Sequence, residues 1–452
     1  MKTYLPLTQN LVLIGVAGLA LVASLLSCAV GPPTAAPTLA PTFTPIPTRA
    51  PTITPTPTLA PTFTPILRTP IPTPILESAT VGPFRSVAAV DDVLPGNFER
   101  LHASADGALW LITDQGVAKL VDDTWTTYLT DFVGALAGID AIGRIWVVSE
   151  DTTQIAALRQ AQGAAWDGDS WTAYGADAGW TPIPLKEWYG DVGWGQSDEL
   201  GRFWLATSQD VRLFDGERWT VFTPEDMGMG EVGPEEQWAT FALRVSKSTG
   251  DVWVGECDWC GPGPFGGQGA RWFDGQVWRG ADSPVGSGCA TVIEEDSAGR
   301  IWLGVDEILW RYDPASGEWA EFAPPESPVE WERFGFAHAI ALDPADDPWP
   351  MLVLCSGASC YGNLVHYHLR DGVWTQIGEV IPYPEALQKL LFDADGTPWL
   401  FWGGIYRIAG GAPELAATLY VRSAAVDGAG RVWFVAYYQG RDVLWTLDTE
   451  TT

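Results

Sequence analysis

The side chains that could do chemistry fall in a few places along the 452 residues. Eleven positions before a recurring tryptophan stand Glu99, His338, Gln388 and Arg422, among otherwise small residues. If one register brings them to the same height, they form a ring of convergent polar groups in which Glu99 or His338 could act as a general acid or base. Polar groups satisfied by the scaffold leave the same signature, so no catalytic residue is assigned and an enzyme is the less favoured class. His366 and His368 alternate onto one face of a strand, a spacing that could hold a metal beside a carboxylate. Solvent-facing strand histidines share that spacing, and the sequence implies neither a metal nor another cofactor. Trp180, Trp188, Tyr189, Trp194, Trp238 and Trp331 lie in the long segments 179–194, 224–238 and 324–331. Indole faces beside carboxylates and amides suit sugar rings, although the same side chains could pin the loops to the scaffold.

Two close cysteine pairs, Cys257 with Cys260 and Cys355 with Cys360, occupy equivalent loops. In an oxidising setting they read first as local disulfides, with a zinc site shared by the two loops as the alternative. Cys289 is left over, expected at the start of a repeat, buried or paired with another chain.

These candidates need a scaffold, which is written in the chain as a repeat. A motif Asp-x-x-Gly-x-aliphatic-Trp returns with its tryptophan at Trp110, Trp146, Trp204, Trp253, Trp302, Trp349, Trp399 and Trp433. Glycine stands three residues before seven of them, with Asp346 in its place in the sixth copy, and aspartate stands six residues before six. Asp caps a tight turn through its side chain and Gly takes the positive φ, so each copy predicts a hairpin whose second strand opens on Trp. A second hairpin follows, clearest in 211–222, where Asp215-Gly216 turns the chain toward Trp219. Four antiparallel strands per repeat make a blade that must stack on its neighbours, and a closed ring removes the ends of the array. The expected fold is all-β, a single β-propeller of about eight four-stranded antiparallel blades, with seven as the alternative. The repeated Trp is then the wedge between blades. The last unit lacks a fourth strand, and 82–87 carries a fourth-strand pattern with Phe84 in the Trp place, so both chain ends are expected in one blade.

The copies resemble the two-component-regulator propeller repeat of bacterial sensor ectodomains, most closely at Asp106-Gly-Ala-Leu-Trp-Leu-Ile-Thr113 and Gly116-Val-Ala-Lys-Leu120. The resemblance runs over nearly everything from Ser78 on. It implies a propeller and a ligand-sensing or interaction role. No kinase follows the repeats, so signalling in cis is not expected.

At the other end, Lys2, the apolar run 11–26 and Ser27-Cys28 follow the order of a secretory signal. Leu25-Leu26-Ser27-Cys28 resembles the bacterial lipobox, which implies lipidation of Cys28 and an anchor on the outer side of the cell envelope. An uncleaved signal anchor is the alternative, since 11–30 nears the roughly 20 residues that span a bilayer. A Pro/Thr ladder runs from Pro32 to Pro74, cannot pack a core, and should make 29–78 a disordered, extended stalk rising about 3.1 Å per residue. The chain thus divides into a signal (1–28), a stalk (29–78) and a propeller (79–452). With 56 acidic residues against 25 basic ones, a formal charge of −31, it should repel nucleic acid and anionic lipid. The expected function is a surface-tethered binding module, a monomer touching the membrane only through its anchor. Its loop-rich face would capture a neutral or cationic ligand, an oligosaccharide or a peptide, or dock an envelope protein. A glycan lyase or hydrolase working at the channel mouth, and a scaffold within the envelope, are the alternatives.

Overall fold

An aspartate that opens a tight turn can satisfy several donors at once, and this chain uses that device repeatedly. The computed structural model describes residues 80–103, 108–113, 116–121, 124–129, 135–140, 142–148, 163–167, 170–181, 195–207, 210–229, 240–258, 266–330, 332–356, 363–382 and 389–447. The apolar run, Cys28 and the Pro/Thr ladder lie outside the described residues. At Asp198 one carboxylate oxygen accepts the backbone N–H groups of Leu200 and Arg202, each at 3.0 Å. The other accepts Arg202 Nε at 2.6 Å and Trp204 Nε1 at 2.9 Å. The indole bond recurs from Asp140, Asp296, Asp343, Asp393 and Asp427 at 2.9–3.2 Å, so all six motif aspartates hold their own tryptophan. Gly201 takes the left-handed φ of 74° that the turn demands, and in the sixth copy Asp346 adopts it at 63°.

The fourth copy shows what happens without the aspartate. Ser246 takes its place and the turn is one residue longer, the Ser246 N–H reaching Asp251 O at 2.8 Å. Trp253 Nε1 is then buried with no acceptor, a cost of about 1–3 kcal/mol.

Hairpins of this kind build an all-β propeller. Seven four-stranded antiparallel sheets follow in chain order, over residues 98–129, 135–174, 196–222, 240–279, 290–322, 332–382 and 389–417. A further sheet of five strands joins 420–447 to 80–89. Each anchor tryptophan opens the second strand of a different sheet, and all are buried except the half-buried Trp349. They do act as wedges: Trp146 stacks on Phe203 of the next sheet at 5.3 Å and meets Trp219 edge-on at 5.1 Å. Innermost strands pack side by side from the second sheet onward, and Tyr420–Val426 lies against Phe98–Ala103, so the ring closes.

Closure uses both chain ends, as the sequence predicts. Phe84–Ala89 pairs antiparallel with Arg441–Leu447, with Phe84 opposite Leu447. Phe84 is fully buried and meets Phe434 and Trp399 edge-on at 5.0 and 5.3 Å.

Candidate functional site

The register that aligns Glu99, His338 and Arg422 is a bulge in the innermost strand. Pairing skips Glu99, Thr291, His338 and Arg422 in four separate sheets, and such bulges re-aim side chains. At Thr291 and Arg422 they aim at the next sheet. Thr291 Oγ1 donates to Ala337 O, and Arg422 Nη2 to Phe98 O at 3.0 Å. Neighbouring polar groups do the same: Gln196 bridges Leu243 O and Val245 N at 2.8 and 3.0 Å, and Lys389 Nζ reaches Ala424 O at 2.9 Å. Arg422 also pairs with Asp442 at 2.5 Å. Glu99 is exposed, while Gln388 lies outside the described residues. Of the ring selected in the sequence, Arg422 is therefore a stitch between sheets, and Thr291, Gln196 and Lys389 share that role.

Inside the ring of innermost strands lies a cavity of about 740 Å³, lined in part by Gln196, Thr291, Glu294, His338, His366 and Lys389. Glu294 pairs with Arg244 of the preceding sheet at 3.1 Å. Burial raises the Glu294 carboxyl despite that arginine, and burial with Arg100 draws the Lys389 ammonium down. Burial also lowers His338, and burial with His338 alongside takes His366 to about 4, so both imidazoles are neutral at pH 7. Of the sequence-selected ring, His338 alone lines this cavity among the described residues.

The opposite end of the molecule carries the second-to-third-strand turns and the connectors between sheets. There a cleft of about 600 Å³ opens between the fifth and sixth sheets. The turn residues Asp306 and Glu307 form one wall, the connector 323–327 another, and Glu332, Arg333 and Cys355 the third. Four acidic residues, Asp306, Glu307, Glu326 and Glu332, thus line the cleft with one arginine, Arg333. Asp306 sits at a φ of 49°, a strain held by three bonds. Its carboxylate accepts Cys289 N at 2.9 Å, its N–H reaches Cys289 O at 2.9 Å, and its carbonyl accepts Ala337 N at 3.1 Å. Burial raises the Asp306 carboxyl against the pull of the Cys289 N–H, and Glu307 pushes it the same way. Asn363 Nδ2 sits 2.9 Å from both oxygens of Glu332, fixing the far wall.

The disulfide reading needs correction. Cys257 pairs with Cys289 across two sheets, rather than with Cys260 three residues on. The end of the strand Val252–Asp258 is brought against the start of Ala290–Glu295 by stacking of the sheets, a proximity that sequence spacing does not carry. Cys289 is indeed buried at the start of a repeat. Cys355 is disulfide-bonded as well, while Cys260 and Cys360 lie outside the described residues. Trp180 also departs from its expected role as a ligand platform. It is buried against Trp219, with Arg212 at 4.7 Å over its face, and it anchors the start of a long connector. Arg212 is fully buried, doubly bonded to Asp210, and donates to Thr181 O at 2.6 Å. Trp188, Tyr189, Trp194, Trp238 and Trp331 lie outside the described residues. Sequence reasoning missed Asp306 and Glu307, whose signal is two acids filling the two-residue turn between Val305 and Ile308.

No known sequence family matches the chain, and no curated protein does. Distant structural similarity exists to several propellers. A streptogramin B lyase is 13% identical over 78% of this chain and 94% of its own, with a TM-score of 0.41. YCF48 bound to D1 peptide is 14% identical over 84% and 99%, with a TM-score of 0.40. The extracellular domain of a hybrid two-component system from B. thetaiotaomicron is 14% identical over 76% of this chain and 52% of that one, with a TM-score of 0.32.

Proposed function

We propose that the chain is an exported, surface-tethered binding module whose connector face captures a neutral or cationic ligand of the oligosaccharide or peptide kind. The observation that carries this reading is the cleft between the fifth and sixth sheets, lined by four acidic residues and one arginine on walls held by hydrogen bonds of Asp306 and Glu332. A pre-formed concavity with a few fixed polar groups is the usual shape of a ligand site, and its local charge has the sign of the whole molecule. A cationic ligand would be steered to it and an acidic one repelled. Cys257–Cys289 fits an oxidising compartment, in keeping with export.

An array of glycans and peptides probed with the full chain tests this. Neutral or basic ligands should bind, and Glu307→Gln with Glu326→Gln should weaken a basic ligand about tenfold, equivalent to about 1.4 kcal/mol. Retention of acidic ligands, or binding of a basic ligand that is indifferent to both changes, would overturn the reading.

A further inference from the structure

The sixth repeat departs from its sisters in a way that the fold does not require. Four residues after the motif aspartate, Arg144, Arg202, Arg300 and Arg431 pair with it in four copies, and Thr397 stands there in a fifth. In the sixth the residue is Asp347, a second carboxylate beside Asp343. The third strand of the same sheet brings in His368, whose ring stacks on Trp349 at 4.4 Å. The His368 ring is half-buried, and its Nε2, itself shielded from water, lies 3.5 Å from Asp343 Oδ2 and 3.8 Å from Asp347 Oδ2, longer than a well-formed hydrogen bond to either. All three ligand atoms fall within 4.8 Å of one another.

We propose that Asp343, Asp347 and His368 form a binding site for a divalent transition-metal ion, with zinc as its first candidate. Ligands about 2.0–2.1 Å from a tetrahedral zinc stand about 3.4 Å apart, so two of the separations need only a small contraction. One imidazole with two carboxylates suits zinc, manganese or iron(II) better than calcium, which prefers an all-oxygen cage. Trp349 orients the site twice, stacking on His368 and donating its indole N–H to Asp343 Oδ2 at 3.2 Å. That oxygen keeps a second lone pair for a metal, and backbone N–H groups of Ala345 and Asp347 fix its partner oxygen at 2.9 and 3.0 Å.

The resident counter-cation is Arg370, whose Nε lies 2.5 Å from Asp347 and whose Nη2 lies 3.6 Å from Asp343. Its side chain is 56% exposed, and an exposed ion pair of this kind is weak. Arg370 can therefore swing into solvent when a metal enters. His366, two residues earlier, lines the ring cavity, so His368 is the member of the His-x-His pair that would ligate.

Calorimetric titration of the full chain, free of histidine tags, with zinc chloride tests the proposal. Wild type should bind one equivalent with a micromolar dissociation constant. His368→Gln, and separately Asp347→Asn, should each weaken it at least tenfold with the melting curve retained in at least one. Arg370→Ala should tighten it several-fold, and His366→Gln should leave it unchanged. No saturable equivalent in wild type, or one that survives both His368→Gln and Asp347→Asn, would overturn the site.

Discussion

Asp198 shows how much one buried side chain does in this fold. It caps a turn, neutralises Arg202 and holds the indole of Trp204, all from a carboxylate that is almost out of contact with water. Asp198→Ala should therefore leave an indole N–H and two backbone N–H groups without acceptors. The expected loss is about 3 kcal/mol, read from urea unfolding, and a loss under about 1 kcal/mol would contradict the assignment. The motif that reveals this role is local, six residues from Asp to Trp, which is why it is legible in the sequence. His102 is the opposite case. Burial, with Lys389 and Arg100 nearby, lowers its pKa to about 3 from 6.5. The folded state thus resists protonation that the unfolded chain accepts, so stability is lost as pH falls from about 6.5 toward 3, by at most about 1.4 kcal/mol per pH unit. His102→Gln should flatten the slope of stability against pH between 6.5 and 4, and a slope equal to wild type would refute it. Nothing in the sequence marks His102, because Lys389 and Arg100 reach it from a distant repeat and from its own strand.

At the scale of elements, the closing sheet is, among the described strands, the one that joins distant parts of the chain in a ring of otherwise consecutive hairpins. Phe84–Ala89 must come from the far end of the chain to pair with Arg441–Leu447. Phe84 fills a fully buried position among Trp399, Phe401, Phe434 and Trp445. Phe84→Ala should cost about 3–5 kcal/mol, and an unchanged thermal midpoint would show that closure does not depend on this strand. That strand was legible because it copies the fourth-strand pattern with Phe for Trp. The bulges were not. A fixed spacing from Trp finds Glu99, His338, Gln388 and Arg422, but only the paired strands show that Arg422, and Thr291 at the same register, turn to the next sheet. Cys257 with Cys289 failed for the same reason: partners chosen by stacking of sheets leave no trace in local spacing.

At the scale of the whole molecule, the two faces carry different features. The turn face holds the aspartate motifs that build the sheets, together with Asp343, Asp347 and His368. The connector face holds the acidic cleft, built on the least repetitive stretches of chain, as loops that carry function usually are. A charge of −31 pointed to neutral or cationic ligands, and the cleft repeats that sign where a ligand would sit. The most direct measurement is hydrogen exchange of the full chain with and without the strongest binder found on the glycan and peptide array. Binding at the connector face predicts slowed exchange confined to residues 306–308 and 323–335. Slowed exchange at the aspartate turns, or along the strands that line the central cavity, with 306–308 and 323–335 unchanged, would contradict it.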